Sequence, residues 1–294
     1  MTVVPAAGQT DGGRHRVGRR TWLRRGCVAA GVAAAATAVD GTLVTPRRLV
    51  TSDHAFGGTP AAVDGASHPS LRILQVSDLH LHGIGRLQRL LLERIHGSDA
   101  DLIVFTGDAI DDKAALPALD AFLGELPRSP RMLAILGNWE HRCGIGVDAL
   151  VRTYEGHGVE LLVNRTIDVE HHGRSLRVTG LDDWLLGRPD PAGALAAATP
   201  RDHHLVLAHC PAARDRLGMP PEHPVSLILS GHTHGGQIAP LGAAVWRPSG
   251  SGRYVAGWYR DGGPPMYVSR GIGTSLLPIR IGSTPELVRI DWRL

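Results

Sequence analysis

The chain has 294 residues, of which 43% are hydrophobic, and a formal net charge of +3. Six arginines and one aspartate give the first 38 residues a net charge of +5, which leaves −2 for the remainder. A remainder without basic excess does not indicate a nucleic-acid partner, so none is expected. The sequence shows no repeats or heptads, and its length suits one sizeable α/β domain, which we expect to be monomeric.

Residues 1–38 resemble a twin-arginine export signal. Arg19-Arg20 precedes an apolar stretch from Gly26 to Val39, and Ala36-Thr37-Ala38 offers small residues for a signal peptidase. The stretch is too short for a comfortable membrane span, which needs about 20 residues. We therefore expect a signal peptide over 1–38, a cytoplasmic precursor, and the twin-arginine translocation machinery as a partner. An uncleaved anchor or a basic arm is the alternative.

The segment after this leader, residues 39–70, is rich in Thr, Gly and Ala and is predicted to be a polar linker. Residues 71–294 are predicted to form the folded domain. Cys143 and Cys210 are the cysteines beyond the leader. A disulfide between them is conceivable in an oxidising compartment, although two buried free thiols are the favoured interpretation.

Short apolar runs bounded by glycine and polar residues follow, as is typical of strands buried on both faces. The first five predicted strands are residues 71–76, 102–105, 132–136, 205–208 and 225–229. Helix-like stretches at 84–96, 115–126 and 147–155 alternate with the first three, which indicates parallel pairing in an α/β fold. Further strand-like pieces cover 159–163, 166–170, 175–179, 253–259, 266–269 and 287–292.

Metal-ligand side chains directly follow each of the first five runs. These segments are Asp78-Leu79-His80, Gly107-Asp108, Gly137-Asn138, Ala208-His209 and Gly231-His232-Thr233-His234. In open α/β sheets, ligands bind beyond the carboxyl ends of the strands. Any single segment could be an ordinary turn or a surface histidine, but the five together predict one rim where two metal ions bind.

The ordered set D-x-H, G-D, G-N, H, G-H-x-H resembles the calcineurin-like metallophosphoesterase family, over roughly residues 71–294. The resemblance implies a four-layer αββα sandwich whose second sheet is formed by the later strands. It implies one metal ion held by Asp78, His80 and His234. It implies a second ion held by Asn138, His209 and His232, with Asp108 bridging the two.

These ligand types have a direct chemical rationale. Mixed imidazole and carboxylate shells suit manganese, iron or zinc better than magnesium or calcium. Two such ions about 3.5–4 Å apart stabilise both the attacking and the leaving oxygen and lower the pKa of a bound water. The resemblance therefore implies two divalent cofactor ions and hydrolysis of a phosphate ester by attack of a metal-bound hydroxide.

One position departs from the family pattern. In much of the family the third motif is G-N-H, and its histidine is thought to protonate the leaving group, but this chain has Trp139 there. An indole cannot replace a general acid, which contributes about 10²–10⁴-fold. His141 or His82 could donate the proton, the substrate could have a good leaving group, or the enzyme could be degenerate. Trp139 could also stack on a base or sugar, or pack as an ordinary aromatic.

These observations predict an exported dinuclear phosphoesterase of the bacterial envelope branch, located in the cell wall, the periplasm or at the outer membrane face. The expected substrate is a phosphodiester or pyrophosphate of an envelope lipid, nucleotide or wall polymer, and association with the membrane or cell wall is left open. The expected catalytic residues are Asp108, Asn138, His141 and His82. Phosphomonoesterase or phosphoprotein phosphatase activity, or a degenerate metal-binding envelope protein, are the alternatives. Arg270 either contacts phosphate or is a surface residue.

Overall fold

The computed structural model describes residues 19–57 and 70–294, and the chain divides between Val39 and Asp40 into two compact units. The first unit contains helix α1, Arg19–Val39. Within the described residues, no helix is both long and apolar enough to cross a membrane. Residues 1–18 of the expected signal peptide and residues 58–69 of the expected linker lie outside the described part.

The second unit begins with a six-stranded sheet in the order β1-β12-β2-β3-β4-β5. Strands β2 to β5 are parallel, β12 runs antiparallel to β2, and β1 pairs in parallel with β12. The strand bounds are β1 Val50–Phe56, β2 Ser70–Val76, β3 Leu102–Thr106, β4 Arg131–Ile135, β5 Val159–Leu161 and β12 Glu286–Arg293.

The other sheet also has six strands, in the order β10-β11-β9-β8-β7-β6. Its inner strands β7, β8, β9 and β11 are parallel, and its edge strands β6 and β10 are antiparallel to their neighbours. The bounds are β6 Arg165–His171, β7 Arg174–Gly180, β8 His204–Leu207, β9 Leu227–Ser230, β10 Gly257–Tyr259 and β11 Met266–Val268.

Apolar side chains from both sheets meet in a shared core, which includes Ile73 and Val104 of the first sheet and Val178 and Leu205 of the second. The outer face of the first sheet is packed by helices that alternate with its strands. The helices of this unit are α2 Arg86–His96, α3 Leu116–Gly124, α4 Asn138–Arg142, α5 Val147–Gly156 and α6 Pro191–Leu195. The predicted α/β sandwich is confirmed.

The layer on the outer face of the second sheet is less helical than its counterpart. It consists of the short helix α6, the 3₁₀ segment Pro211–Arg216 and loops that bring Leu217 and Tyr254 onto the sheet. The predicted strand over 253–259 is too long, because the backbone N–H of Tyr254 donates to Ser251 O in a turn and strand pairing begins only at Gly257.

The linker prediction needs a correction over residues 50–56, which form β1. Alternate residues of this strand are half-buried, and the strand pairs along its length with β12. Its polar composition is that of an edge strand with one solvated face, and for this reason the sequence of β1 resembles that of a linker. Cys143 and Cys210 are both free in the structure. Cys210 is buried, as the favoured interpretation expected, whereas Cys143 is only half-buried.

Candidate metal centre

The candidate metal ligands follow strands of both sheets. Asp78, Asp108 and Asn138 come after β2, β3 and β4, while His209 and His232 come after β8 and β9. Because the sheets pack face to face and these strands are parallel within each sheet, their carboxyl ends open on one rim. We call the seven ligand-type side chains on this rim the metal floor: Asp78, His80, Asp108, Asn138, His209, His232 and His234.

Five residues of the metal floor have a left-handed backbone conformation. Their φ angles are 52° at Asp78, 43° at His80, 54° at Asp108, 72° at His232 and 50° at His234. Residues other than glycine seldom adopt such angles, and the cost is of the order of 1–3 kcal/mol each. Strain concentrated at these positions is typical of a functional site whose surroundings impose its geometry.

The first triad of the metal floor consists of Asp78, His80 and His234. The Nε2 atoms of the two histidines are 3.0 Å apart, and His234 Nε2 is 3.5 Å from Asp78 Oδ1. On the far side of the rings, His80 Nδ1 lies 3.4 Å from Asp111 Oδ2, and His234 Nδ1 lies 3.2 Å from Arg280 Nη2. Asp111 can accept from His80 Nδ1 and so orients that ring with Nε2 toward the common centre. Arg280 can only donate, so it is His234 Nδ1 that accepts in the second contact.

The second triad consists of Asp108, His209 and His232. His209 Nε2 is 3.2 Å from His232 Nδ1 and 3.1 Å from Asp108 Oδ2. The opposite ring nitrogens donate to backbone carbonyl oxygens, His209 Nδ1 to Thr106 at 2.8 Å and His232 Nε2 to Ser249 at 2.6 Å. Donation at one nitrogen fixes the tautomer and leaves the other nitrogen free to bind a metal ion.

The position of Asp108 links the two triads. Its Oδ2 atom is 3.1 Å from His209 Nε2 in its own triad and 3.8 Å from His80 Nε2 in the other. Its Oδ1 atom accepts a hydrogen bond from the backbone N–H of Trp139 at 2.9 Å. One carboxylate oxygen therefore faces both clusters, as a bridging ligand requires.

An unpartnered amide oxygen among these side chains also indicates that they suit metal ions. The buried Oδ1 atom of Asn138 has no hydrogen-bond partner, although a buried acceptor without a partner costs about 1–3 kcal/mol. Buried imidazole and carboxylate groups packed this closely, together with one unpartnered amide oxygen, are what a pair of divalent ions would satisfy.

Burial and mutual contact shift the protonation of these groups. Burial raises the pKa of Asp108, but the neighbouring imidazoles, led by His209, outweigh burial and lower that pKa to about 2. Burial, reinforced by His209, lowers the pKa of His232 to about 4. Metal ions bind ionised carboxylates and neutral imidazoles, so Asp108 and His232 are already in ligating form at neutral pH.

Glu140 is a buried residue of the site that the sequence did not reveal. Its carboxylate accepts hydrogen bonds from the backbone N–H groups of Asp108 at 3.0 Å, Ala109 at 2.5 Å, Ile110 at 3.3 Å and Gly137 at 2.8 Å. It thereby ties the loop after β3 to the start of α4. At Gly137 a Cβ atom would lie 2.2 Å from Asp108 Oδ1, so only glycine permits this close approach.

The two histidines proposed as proton donors do not line the cavity over the metal floor. His141 Nε2 is 2.6 Å from Asp182 Oδ1, and this contact raises the pKa of His141 although burial opposes it. His82 is 70% exposed in its side chain and faces Asp111 at 3.4 Å. Arg270 forms an ion pair with the buried Glu286 at 3.1 Å. None of the three lines the cavity over the metal floor.

A cavity of about 460 Å³ opens over the metal floor and reaches Asp108, Asn138, His232 and His234. Trp139 lines it, and its ring meets the His80 ring edge-on with centroids 6.0 Å apart. The Arg142 guanidinium lies 4.9 Å from the Trp139 ring centroid and lines the same cavity. A substrate cavity above paired metal-ligand triads on an α/β sandwich defines a metal-dependent phosphoester hydrolase.

Comparison with known proteins agrees with this class. The sequence profile of calcineurin-like phosphoesterases matches residues 71–236, which is more than half of the chain. The uncharacterized metallophosphoesterase YkuE of Bacillus subtilis is 33% identical over 285 residues, which are 92% of this chain and 96% of YkuE. The phosphodiesterase YaeI of Escherichia coli is 31% identical over 195 residues, covering 65% of this chain and 70% of YaeI. The chain therefore belongs to the calcineurin-like phosphoesterase family.

Among solved structures, the 5′-nucleotidase precursor from Thermus thermophilus is similar with a TM-score of 0.45 and 16% identity. The match covers 69% of this chain and 49% of the nucleotidase.

Proposed function

We propose that the protein is a dinuclear enzyme that hydrolyses a phosphodiester or pyrophosphate whose leaving group is stable as an anion. The observation that carries this proposal is the pair of triads with Asp108 between them. Asp78, His80 and His234 would hold one ion, Asn138, His209 and His232 the other, and Asp108 both. Such ions supply Lewis-acid stabilisation of the phosphoryl oxygens and an activated water.

The requirement for a good leaving group follows from the side chains around the cavity. Among the described residues that line it, the carboxylate and imidazole groups are those of the candidate ligands Asp108, His232 and His234. The His141 ring is engaged by Asp182 and lies outside the lining. Arg142 can stabilise an anionic leaving group but cannot protonate it, because its guanidinium stays charged. Pyrophosphates and aryl esters need no proton at this step.

The relative YaeI is named a phosphodiesterase, which supports the diester over the monoester. The site of action is proposed to be the cell envelope, after export through the twin-arginine route with Arg19-Arg20 as the recognition pair. Manganese, iron or zinc are the proposed ions because the shell mixes nitrogen and oxygen donors.

A substrate series tests the catalytic proposal. Purified protein supplemented with Mn²⁺ is assayed on phosphodiesters whose leaving groups span a range of pKa values, from p-nitrophenol to simple alcohols, and on a pyrophosphate. We expect kcat to fall steeply as the leaving-group pKa rises, and the pyrophosphate to be cleaved. A dependence that stays flat would show that a proton donor acts in the parent enzyme, and full activity after chelation would reject the metal centre.

Export is tested separately by replacing Arg19 and Arg20 together with Lys. The expected result is a full-length precursor retained in the cytoplasm, detected by fractionation and mass spectrometry of the amino terminus. Replacing Arg14 and Arg16 with Lys is the matched control, since it keeps the paired arginines. A double variant at 19 and 20 that is still processed and exported would contradict the proposed route.

A further inference from the structure

Exposed apolar side chains gather in one place on the second unit. Among the described residues of this unit, nine large apolar side chains are exposed. Leu43 and Val44 lie near its start, and the other seven belong to three later loops. We call them the apolar lip: Leu185, Leu186, Leu241, Val245, Trp246, Leu276 and Leu277. Leu241 is fully exposed, Leu276 is 75% exposed and Trp246 is 62% exposed. Exposed apolar groups gathered in this way mark a site of interaction, whereas single ones need no explanation.

The apolar lip surrounds the cavity that leads to the metal floor. Leu185, Val245, Trp246, Leu276 and Leu277 line this cavity together with the metal ligands. Leu186 directly follows Leu185, and Leu241 lies in the chain between Ile238 and Val245, so both belong to loops that line the cavity. A ligand whose phosphate lies on the metal floor would therefore extend directly across the apolar lip.

Two leucines of the apolar lip have strained backbones. The φ angle is 55° at Leu241 and 63° at Leu276, in the left-handed region that favours glycine and asparagine. Glycine at either position would relieve this strain, and a polar residue would suit the solvent better. Strain of this kind is characteristic of ligand-binding segments, where the surrounding structure imposes it.

Charges of both signs occur beside the apolar lip. The loop of Leu185 and Leu186 contains Asp182, Asp183 and Asp190, of which Asp182 and Asp183 are buried and accept hydrogen bonds from backbone N–H groups of the same loop. Arg142, Arg188 and Arg247 are exposed, and none of them forms an ion pair with the described acidic residues. The loop residues 236–249 and 274–282 contain no Asp or Glu. Apolar side chains interspersed with unpaired arginines complement an amphiphile that has a hydrocarbon chain and an anionic phosphate.

We propose that the substrate is the phosphate ester of a lipid, whose hydrocarbon chain lies along the apolar lip while its phosphate occupies the metal floor. This inference rests on the proposed phosphoesterase function and names its substrate class. A nucleotide substrate, with its base between Trp139 and Trp246, is the competing outcome that the experiment must separate.

The test compares phosphodiesters that share a p-nitrophenyl leaving group and differ in the second ester: methyl, butyl, octyl or thymidine. The parent enzyme is expected to have a kcat/KM about 10-fold higher for the octyl ester than for the methyl ester, because the additional methylene groups are buried against the apolar lip and removed from water. In Leu276→Ser/Leu277→Ser this preference should fall to about 2-fold. The matched control is Leu43→Ser/Val44→Ser, which changes an adjacent apolar pair that is 50% and 52% exposed and does not line the cavity, and it should keep the preference.

A binding measurement gives a second readout that needs neither metal nor turnover. Quenching of tryptophan emission by 11-bromoundecyl phosphate is titrated with metal-free protein. We expect affinity about 5-fold weaker for Leu276→Ser/Leu277→Ser than for the parent and the control, as lost apolar contact requires.

The outcomes separate the inference from the function on which it rests. If no diester is cleaved, the proposed function fails while the binding measurement still reports on the apolar lip. If the methyl ester is cleaved as well as the octyl ester, or the thymidine ester is preferred, the lipid inference is overturned. Equal affinity of all three proteins for the bromoalkyl phosphate would also overturn it.

Discussion

The metal floor and the apolar lip border the same cavity but are built in opposite ways. The metal floor is buried, and its rings and carboxylates are held by carbonyl oxygens, backbone N–H groups and charged partners. The apolar lip is exposed and stands on loops after β7, β9 and β11. The contrast indicates that the chemistry of the reaction is fixed by rigid strand ends, whereas the choice of substrate is left to loops that can vary.

If this contrast holds, changes in the metal floor should abolish activity, and His232→Ala should have the largest effect. We expect loss of one metal equivalent and a fall in activity greater than about 100-fold, because even outer partners of metal ligands are worth 10–100-fold. Elemental analysis and kcat/KM measure the two effects. His172→Ala, an exposed histidine on the β6–β7 turn, is the control. Two equivalents of metal in an active His232 variant would refute the assignment.

The support beneath the metal floor is tested by Glu140→Ala. Four backbone N–H groups would lose their acceptor in a buried setting, so we expect the free energy of unfolding of the metal-free protein to fall by about 3 kcal/mol. Urea denaturation gives the value, with Glu155→Ala on the exposed face of α5 as the control. If Glu140→Ala lowers the free energy of unfolding by less than Glu155→Ala does, other contacts must hold the loops after β3 and β4.

At the boundary between the two regions, Trp139→His should sharpen the comparison. The side chain at 139 lines the cavity beside His80, so an imidazole there could protonate a leaving oxygen. We expect turnover of alkyl diesters to rise by about 10-fold, less than a fully positioned acid provides, with little change for aryl diesters. Trp139→Phe controls for loss of the indole. Equal gains for both substrate types would point to better access instead of proton donation.

The smallest effect is expected at His141, which lies outside both regions. Its pKa is raised by Asp182, so the protonated form stabilises the folded state at low pH. This contribution is complete below about pH 6.5 and disappears as the pH rises through the raised pKa. His141→Gln should therefore lower the free energy of unfolding by about 1–2 kcal/mol at pH 5.5 and by less at pH 9. A cost independent of pH, or a large loss of turnover of aryl diesters, would reject this structural role.

Much of the metal floor could be predicted from the sequence because its signals are local. Each ligand follows an apolar run, and parallel strands bring their carboxyl ends together, so Asp78, Asp108 and His209 could be placed on one rim without a structure. Glu140 could not be recognised, because its role depends on N–H groups from a loop about 30 positions earlier in the chain. A carboxylate two residues after an Asn ligand carries no local sign of burial.

The apolar lip and β1 were harder to predict, for two different reasons. Leucines in glycine- and proline-rich loops have no periodicity that says whether they face the core or a cavity mouth, as Leu276 and Leu277 show. β1 reads as polar because only alternate residues of it are half-buried, and its pairing partner lies at the other end of the chain. Two glycines before metal-floor residues show a similar limit. Gly107 has a φ of 88°, whereas Gly137 is required for close approach to Asp108, and the sequence alone does not tell these roles apart.

The pairing of β1 with β12 has a consequence for the order of events during synthesis. Val50 lies opposite Glu286, and β1 is bonded to β12 alone in its sheet. A ribosome therefore makes β1 early, and the strand stays without its neighbour until nearly the whole polypeptide has emerged. Closure of so long a loop is slow relative to local contacts, so this edge is expected to form late. The strand that is nearest in sequence to the proposed export signal would then join the sheet only after the rest of the domain has been synthesised.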